Sequence, residues 1–427
     1  MKTAHAPHAL SATLAALSTT AARLGAAVAG RYPLLARIVS GYDKPTLLTV
    51  AAGMAVIYAG VYANVILTSE NLLTVHDTIV GGDFIVFWTA AQALATDAPL
   101  AVYDPETMEA MLMANFPGRD SYRLTWQYPP TMFLLIAPFA SLGYAPALCL
   151  WGAGTAAFLA GVLLNLWRNA TALALAFSSA AAFHALITGQ TGFLTAGLIA
   201  LAAAFAGRRP VLAGLAAGLL TVKPQLGLLI PIAFAAAGCW RAFGVAALTG
   251  GALAAFSLAL FGAEGWIAFK DAAGGHGGLM GTDVFPYFKL ITALGLLTQL
   301  GAPAAVAMTG QALAALCLAG FVFYVWRRTA AWDLRAMALI AAAPLATPYA
   351  LYYELTIFIP ALLLLARRGL AHGWLAWERP ALAALWALPL MVPGERGSMM
   401  AALAAAGAFA LCARHVLAGD RHECAGG

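Results

Sequence analysis

Charge is what this chain has least of. Lysine, arginine, aspartate and glutamate make up 10% of its 427 residues, and 62% are hydrophobic. A soluble globular domain carries about 25% charged residues, so a water-soluble fold is excluded. The basic excess of +5 is scattered in small Arg/Lys spots at the ends of apolar runs. That distribution reports membrane orientation and not nucleic-acid binding. The five cysteines, Cys149, Cys239, Cys317, Cys412 and Cys424, lie far apart and form neither a CxxC pair nor a zinc spacing, which leaves them as packing thiols. No P-loop, dinucleotide-binding glycine fingerprint, HExxH or nucleophile elbow occurs. This argues against an ATPase and against soluble nucleotide-sugar chemistry. Residues 1–45 lack the short apolar core and cleavage site of a signal peptide and read as a cytoplasmic arm.

Apolar sequence is what there is in abundance. In lipid every backbone amide must be paired within its own helix, so these runs predict an all-α polytopic membrane protein. Thr46–Thr68 is the first clear span, and Arg31, Arg37 and Lys44 precede it. Positive charge stays inside, which puts the N-terminus in the cytoplasm and the 69–130 loop outside. Within that loop Asp83–Ala95 and Pro105–Asn115 read as short helices, the second capped by Asp104.

Beyond Tyr128-Pro129-Pro130, Thr131–Leu142 reads as a half-helix and Ala145–Trp167 as a crossing. Ala170–Ile187 with Thr191–Ala206, and Val211–Val222 with Leu226–Gly238, read as pairs. Ala242–Gly262 leads into a second outer loop, 263–289. Ala304–Trp326, Ala336–Ala346, Leu355–Ala366 and a last pair near 380–392 and 398–413 follow. The expected body, 46–415, is a bundle of about twelve crossings with broken half-helices and a cytoplasmic tail at 416–427. Several runs fall short of the ~20 residues a straight crossing needs, and broken helices typically line a cavity.

With the arginine clusters placed inside, the turns bearing Asp83, Tyr128, Gln190, Lys223, His276 and Glu354 all fall on one side. Random scattering would divide them between faces. One outward-facing site is expected there. Asp83 reads either as a helix cap or as a general base that takes the proton of a sugar hydroxyl during attack on an anomeric carbon. A donor with a phosphate leaving group needs one such base, not the carboxylate pair of glycoside hydrolases. Lys223 reads as a snorkelling lysine or as the neutraliser of a lipid phosphate. His276, among four glycines, reads as part of a plain mobile loop or as a phosphate or sugar contact. Asp104 is a cap before it is a catalyst, and Glu354 is a sugar-binding acid or a cap. Trp126, Tyr128, Tyr103 and Tyr353 are candidates for framing a sugar, although interfacial belts use the same residue types.

Gly82-Asp83-Phe84 with Ala90-Ala91, Tyr103-Asp104, Tyr128-Pro129-Pro130, Gly189-Gln190, Lys223-Pro224 and Pro348-Tyr349 with Tyr353-Glu354 follow one another in an order that resembles glycosyltransferase family 87. These are membrane enzymes of the GT-C superfamily, and the resemblance covers roughly residues 80–365. It implies an inverting transferase that uses a polyprenyl-phosphate sugar, often mannose, on the outer face of a bacterial inner membrane, with Asp83 as base and a glycan or lipid as acceptor. The late pair, usually Tyr-Asp in that family, is Tyr353-Glu354 here. No spacing requires a metal or other cofactor, while a divalent ion on Asp83 stays open. The rival reading is a transporter or flippase of a lipid or small solute, which would concentrate polar residues at mid-membrane in related halves. A structural subunit of an envelope-polymer complex is a third, and it would make Asp83 dispensable.

Overall fold

A computed structural model describes residues 44–74, 78–119, 121–122, 124–279, 287–387 and 397–425; for 275–279, 397–398 and 420–425 it describes the backbone alone. The expected arm lies almost wholly outside these residues, as does the expected turn at 393–396. Among the described residues there is no strand, only isolated bridges between extended residues.

The first expected span is a single helix, α1 (Lys44–Leu67), about 36 Å long at 1.5 Å per residue. The first outer loop is folded: α2 (Phe84–Ala93), a 3-10 turn (Pro99–Tyr103) and α3 (Pro105–Asn115) lead to α4 (Thr131–Ile136). Then come α5 (Tyr144–Leu166), α6 (Ala170–Phe177), α7 (Ala180–Thr188), α8 (Gly192–Phe205), α9 (Pro210–Leu219) and α10 (Ile230–Ala236). The later half holds α11 (Trp240–Leu279), α12 (Ala293–Gln299), α13 (Ala304–Arg328), α14 (Trp332–Ala346) and α15 (Phe358–His372), with α16 (Glu378–Ala387) and α17 (Gly397–Ala425) last.

Six helical segments are long and apolar enough to cross a membrane, seven if α6 and α7, bent by 54°, form one broken span. The expected twelve counted each apolar run as a crossing. Runs such as α8, α9 and α10, with 14, 10 and 7 residues, are too short for the ~30 Å hydrocarbon core.

Two of the short helices form the centre. In α8 all but Leu194 and Leu201 are buried, and α14 is buried along most of its length. Both are rich in alanine, which lets backbones approach where no water drives helices together. The long helices stand around them and turn apolar side chains outward: Val56, Leu67, Leu248 and Leu316 are each more than two-thirds exposed. Such surfaces are stable only against lipid.

Two sequence expectations change. Residues 263–279 are not a loop but the continuation of α11 past a kink at Gly262, where φ is 66°. Phe261, Gly265, Ala268, Phe269 and Ala272 face inward, at helical spacing, while Glu264, Lys270 and Asp271 are exposed. Their face packs on a second apolar core built by α2, α3, α4 and the foot of α5, and this burial makes the segment helical. The expected tail is likewise the end of α17, which runs to Ala425.

The chain has two distinct ends. From the Gln190 turn, α8 runs about 21 Å to Arg208-Arg209. From Arg335, α14 runs to Thr347-Pro348-Tyr349, and α15 leads from the Glu354 turn to Arg367-Arg368. At the arginine end Arg208 and Arg367 lie over the ring of Trp332, at 3.9 and 5.0 Å from its centroid. Arg368 pairs with Asp333 at 2.9 Å, and Arg367 donates to the last turn of α5 through Leu166 O. The candidate polar residues lie at the other end.

Candidate functional site

The site begins with glycine. Gly82 and Gly189 have positive φ, and a Cβ on Gly82 would stand 2.8 Å from Thr188 Cα; one on Gly189 would collide with Gly81 O and Phe84 Cβ. Only glycine tolerates both the conformation and the contact. The turn between α7 and α8 therefore lies directly on the backbone before α2. Asp83 N donates to Thr188 O at 2.8 Å, Trp151 Nε1 donates to Gly189 O at 2.9 Å, and Tyr144 Oη to Val80 O at 2.6 Å. Phe84 and Phe87, fully buried among Phe139, Tyr144 and Trp151, anchor α2 from beneath.

Asp83 occupies the N-cap position of α2, but its side chain makes no capping hydrogen bond. The cap reading fails. Its Oδ2 instead accepts from Gln190 Nε2 at 2.8 Å, a contact between residues 107 positions apart. Gln190 is oriented in turn, because its Oε1 accepts from Tyr128 Oη at 3.0 Å and from Thr191 N at 3.4 Å. The carboxylate is half-buried, with one oxygen held by an amide.

Beside it is a buried ion pair. Lys223 is 3% exposed and Glu354 fully buried, and the ammonium bonds directly to the carboxylate. Thr191 Oγ1 accepts from Lys223 Nζ at 3.2 Å, and Thr195 Oγ1 donates to Glu354 Oε2 at 3.3 Å. Nζ also lies 5.0 and 5.8 Å from the ring centroids of Tyr353 and Tyr128. Each buried ion costs several kcal/mol of desolvation, which a partner and further hydrogen bonds offset. Lys223 is thus not a snorkelling residue and Glu354 is not a cap: each is the other's counter-ion.

The aromatic expectations divide. Tyr128 and Tyr353 border the cluster. Tyr103 is buried and donates to Tyr128 O at 2.8 Å, so it fixes the loop that presents Tyr128. Trp126, 1% exposed, stacks on Phe133 and meets Phe87 edge-on; it is core, not a sugar platform. Burial pushes the Tyr128 phenol well up and that of Tyr349 up to about 12, so both remain hydrogen-bond donors at neutral pH. Asp104 caps α3 through Thr107 N and Oγ1 at 2.8 and 2.7 Å, and those bonds hold its carboxyl below the ordinary range. The side chain of His276 lies outside the described residues; its backbone is in α11.

Thr191 and Thr195 border this cluster and are absent from the sequence candidates, whereas Tyr349 stands in the Pro348-Tyr349 pair of the resemblance. Thr191 and Thr195, four apart after Gln190, share one helix face, and that spacing was the available signal. Tyr349 Oη reaches Gln127 Oε1 at 3.4 Å and joins the 347–351 turn to the first-loop segment.

Residues 126–348 match glycosyltransferase family 87. The chain belongs to that family. The match takes in Tyr128, Gln190 and Lys223, and the fold closes Asp83 and Glu354, on either side of the matched stretch, onto them. No curated protein and no solved structure matches the chain. A family 87 member is a glycosyltransferase, so the transporter reading is set aside. This family 87 protein is a multi-pass membrane enzyme, and its polar cluster sits at the end of the bundle away from the arginines.

Proposed function

We propose that this protein transfers a hexose, with mannose the first candidate, from a polyprenyl-phosphate donor to a glycan or lipid acceptor, and that Asp83 is the base. The observation that carries the reading is the Asp83–Gln190 contact: a carboxylate not used as a cap, with one oxygen held and the other open. In the reaction Asp83 takes the acceptor hydroxyl's proton as that oxygen attacks the anomeric carbon. The bond from that carbon to the phosphate oxygen breaks, and the polyprenyl phosphate leaves with the electron pair. Attack opposite to departure inverts the anomeric centre.

Lys223 enters as a fixed charge in the floor of the site, balanced by Glu354. Tyr128 and Tyr353 frame the sugar. In this proposal the face away from the arginines is periplasmic, and the membrane is a bacterial inner membrane.

The deciding experiment is sugar transfer from defined polyprenyl-phosphate hexoses by the purified protein, with Asp83→Asn alongside. A positioned general base contributes about 10²–10⁴-fold, so turnover is expected to fall by that factor while the variant stays folded. Wild-type rates in a folded Asp83→Asn protein would remove Asp83 from the mechanism.

A further inference from the structure

A cavity of about 1150 Å³ lies between α1, α6 and α7 on one side and α15, α16 and α17 on the other. It is larger than the ~300–1,000 Å³ of an ordinary small-molecule site, and Asp83, Gln190, Lys223 and Glu354 do not line it. It exists because α1 stands off the bundle. This helix meets the body chiefly through α6, with Tyr58 stacked on Phe183 of α7 at 4.2 Å between centroids. Most of the wall is apolar, with Leu47 and Val50 from α1, Leu362 and Leu363 from α15 and Leu382 from α16. Apolar cavities stay dry, and an unfilled one forfeits packing contacts, so a space of this size favours an apolar occupant.

The cavity reaches the arginine end of the molecule. Lys44, the first residue of α1, lines it there with Trp167, just after α5, and Trp374, and tryptophan settles at the membrane–water interface. The residues that precede Lys44 lie outside the described chain, and they join it at the rim of the cavity. Their sequence carries an apolar stripe. Leu10, Leu14, Leu17, Ala21, Leu24 and Val28 fall on a helical face about 80° wide at ~100° per residue. Thr19 and Arg23 fall on the opposite face. Gly30, Pro33 and Gly41 follow, residues that interrupt a helix and let a chain turn. The link from Val28 to Lys44 extends to about 55 Å at most, so the stripe is never far from the cavity mouth. Such a tether raises its effective concentration there without any new contact.

We infer that residues 10–28 dock as an amphipathic helix across the mouth of this cavity, with the leucine stripe turned into it and Thr19 and Arg23 toward water. The helix lies in the plane of the arginine-side interface, where a leucine face is buried and a polar face stays hydrated. The occupant is a segment of the same chain and not a lipid or a second protein, because attachment at Lys44 presents the stripe to this cavity ahead of free competitors. The inference stands apart from the sugar-transfer reading.

Two measurements on the full chain, in a background without native cysteines, test this. A short bis-maleimide should join Leu17→Cys to Leu382→Cys, and should join Thr19→Cys to Leu382→Cys far less. The reactivity of Leu382→Cys alone with a water-soluble maleimide should rise by about tenfold or more in Leu14→Asp/Leu17→Asp, the shift expected when two buried leucines are lost. Thr19→Asp should leave that reactivity unchanged. Equal cross-linking from positions 17 and 19, including none from either, would overturn the assignment. So would a Leu382→Cys reactivity that ignores Leu14→Asp/Leu17→Asp. Protection of position 382 that is lost on delipidation instead would give the cavity to a membrane lipid and equally sink the docking of the arm.

Discussion

At the scale of single residues, the site is a chain of orientation and not a collection of polar groups. Tyr128 fixes Gln190, and Gln190 fixes Asp83. Replacing Gln190 by Leu keeps the volume and removes the amide, so the carboxylate loses a charged hydrogen bond worth about 1.5–3 kcal/mol. Turnover in Gln190→Leu is expected to fall by roughly 10–100-fold, with smaller change in donor KM; an unchanged kcat would show that Gln190 does not orient the base. The ion pair makes a different prediction. Lys223→Met leaves Glu354 buried without its partner, a loss on the order of 3–5 kcal/mol, and should lower the Tm in detergent markedly. Lys223→Met/Glu354→Gln removes both charges and should recover most of it. If the double variant melts no higher than the single one, the two side chains are not coupled.

At the scale of elements, what decides the site is how closely the turn between α7 and α8 approaches α2. Gly189→Ala places a methyl against Gly81 O and Phe84 Cβ at a residue with φ of 59°, so α2 must move away. Asp83 then loses Gln190, and activity should collapse together with a drop in Tm; a stable, active Gly189→Ala protein would refute the close approach. The sequence made part of this legible. Gly82-Asp83, Gly189-Gln190 and Lys223-Pro224 stood out as polar breaks in apolar runs, and the boundaries of α1, α3, α5 and α8 followed within two residues from those breaks and from the Asp104 cap. The partners were not legible. Nothing local tells that Lys223 meets Glu354, 131 residues away, or that Trp126 turns inward to Phe133 instead of outward to a sugar. Long-range packing decides such matters. The helical course of 263–279 was legible in principle, in the spacing of Phe261, Gly265, Phe269 and Ala272, but the glycines around His276 masked it.

At the scale of the whole molecule, the separation of two ends is the feature on which the functional reading stands. Arg208, Arg367 and Arg368 gather around Trp332 and Asp333 at one end, and Asp83, Gln190, Lys223 and Glu354 gather at the other. The same central helices, α8 and α14, connect them. Positive residues remain on the cytoplasmic side during insertion, so the Asp83 end should face the periplasm, where a lipid-linked sugar rather than a soluble nucleotide sugar is the available donor. In a background without native cysteines, Arg168→Cys and His276→Cys test this with a membrane-impermeant maleimide applied to intact cells. Position 276 lies in the segment of α11 beyond Gly262, which packs on the first-loop core, and should label from outside. Position 168, at the arginine end, should label only after the membrane is opened. The reverse pattern would place the acid on the cytoplasmic face and remove the physical ground for a polyprenyl-phosphate donor, while leaving membership of the family intact.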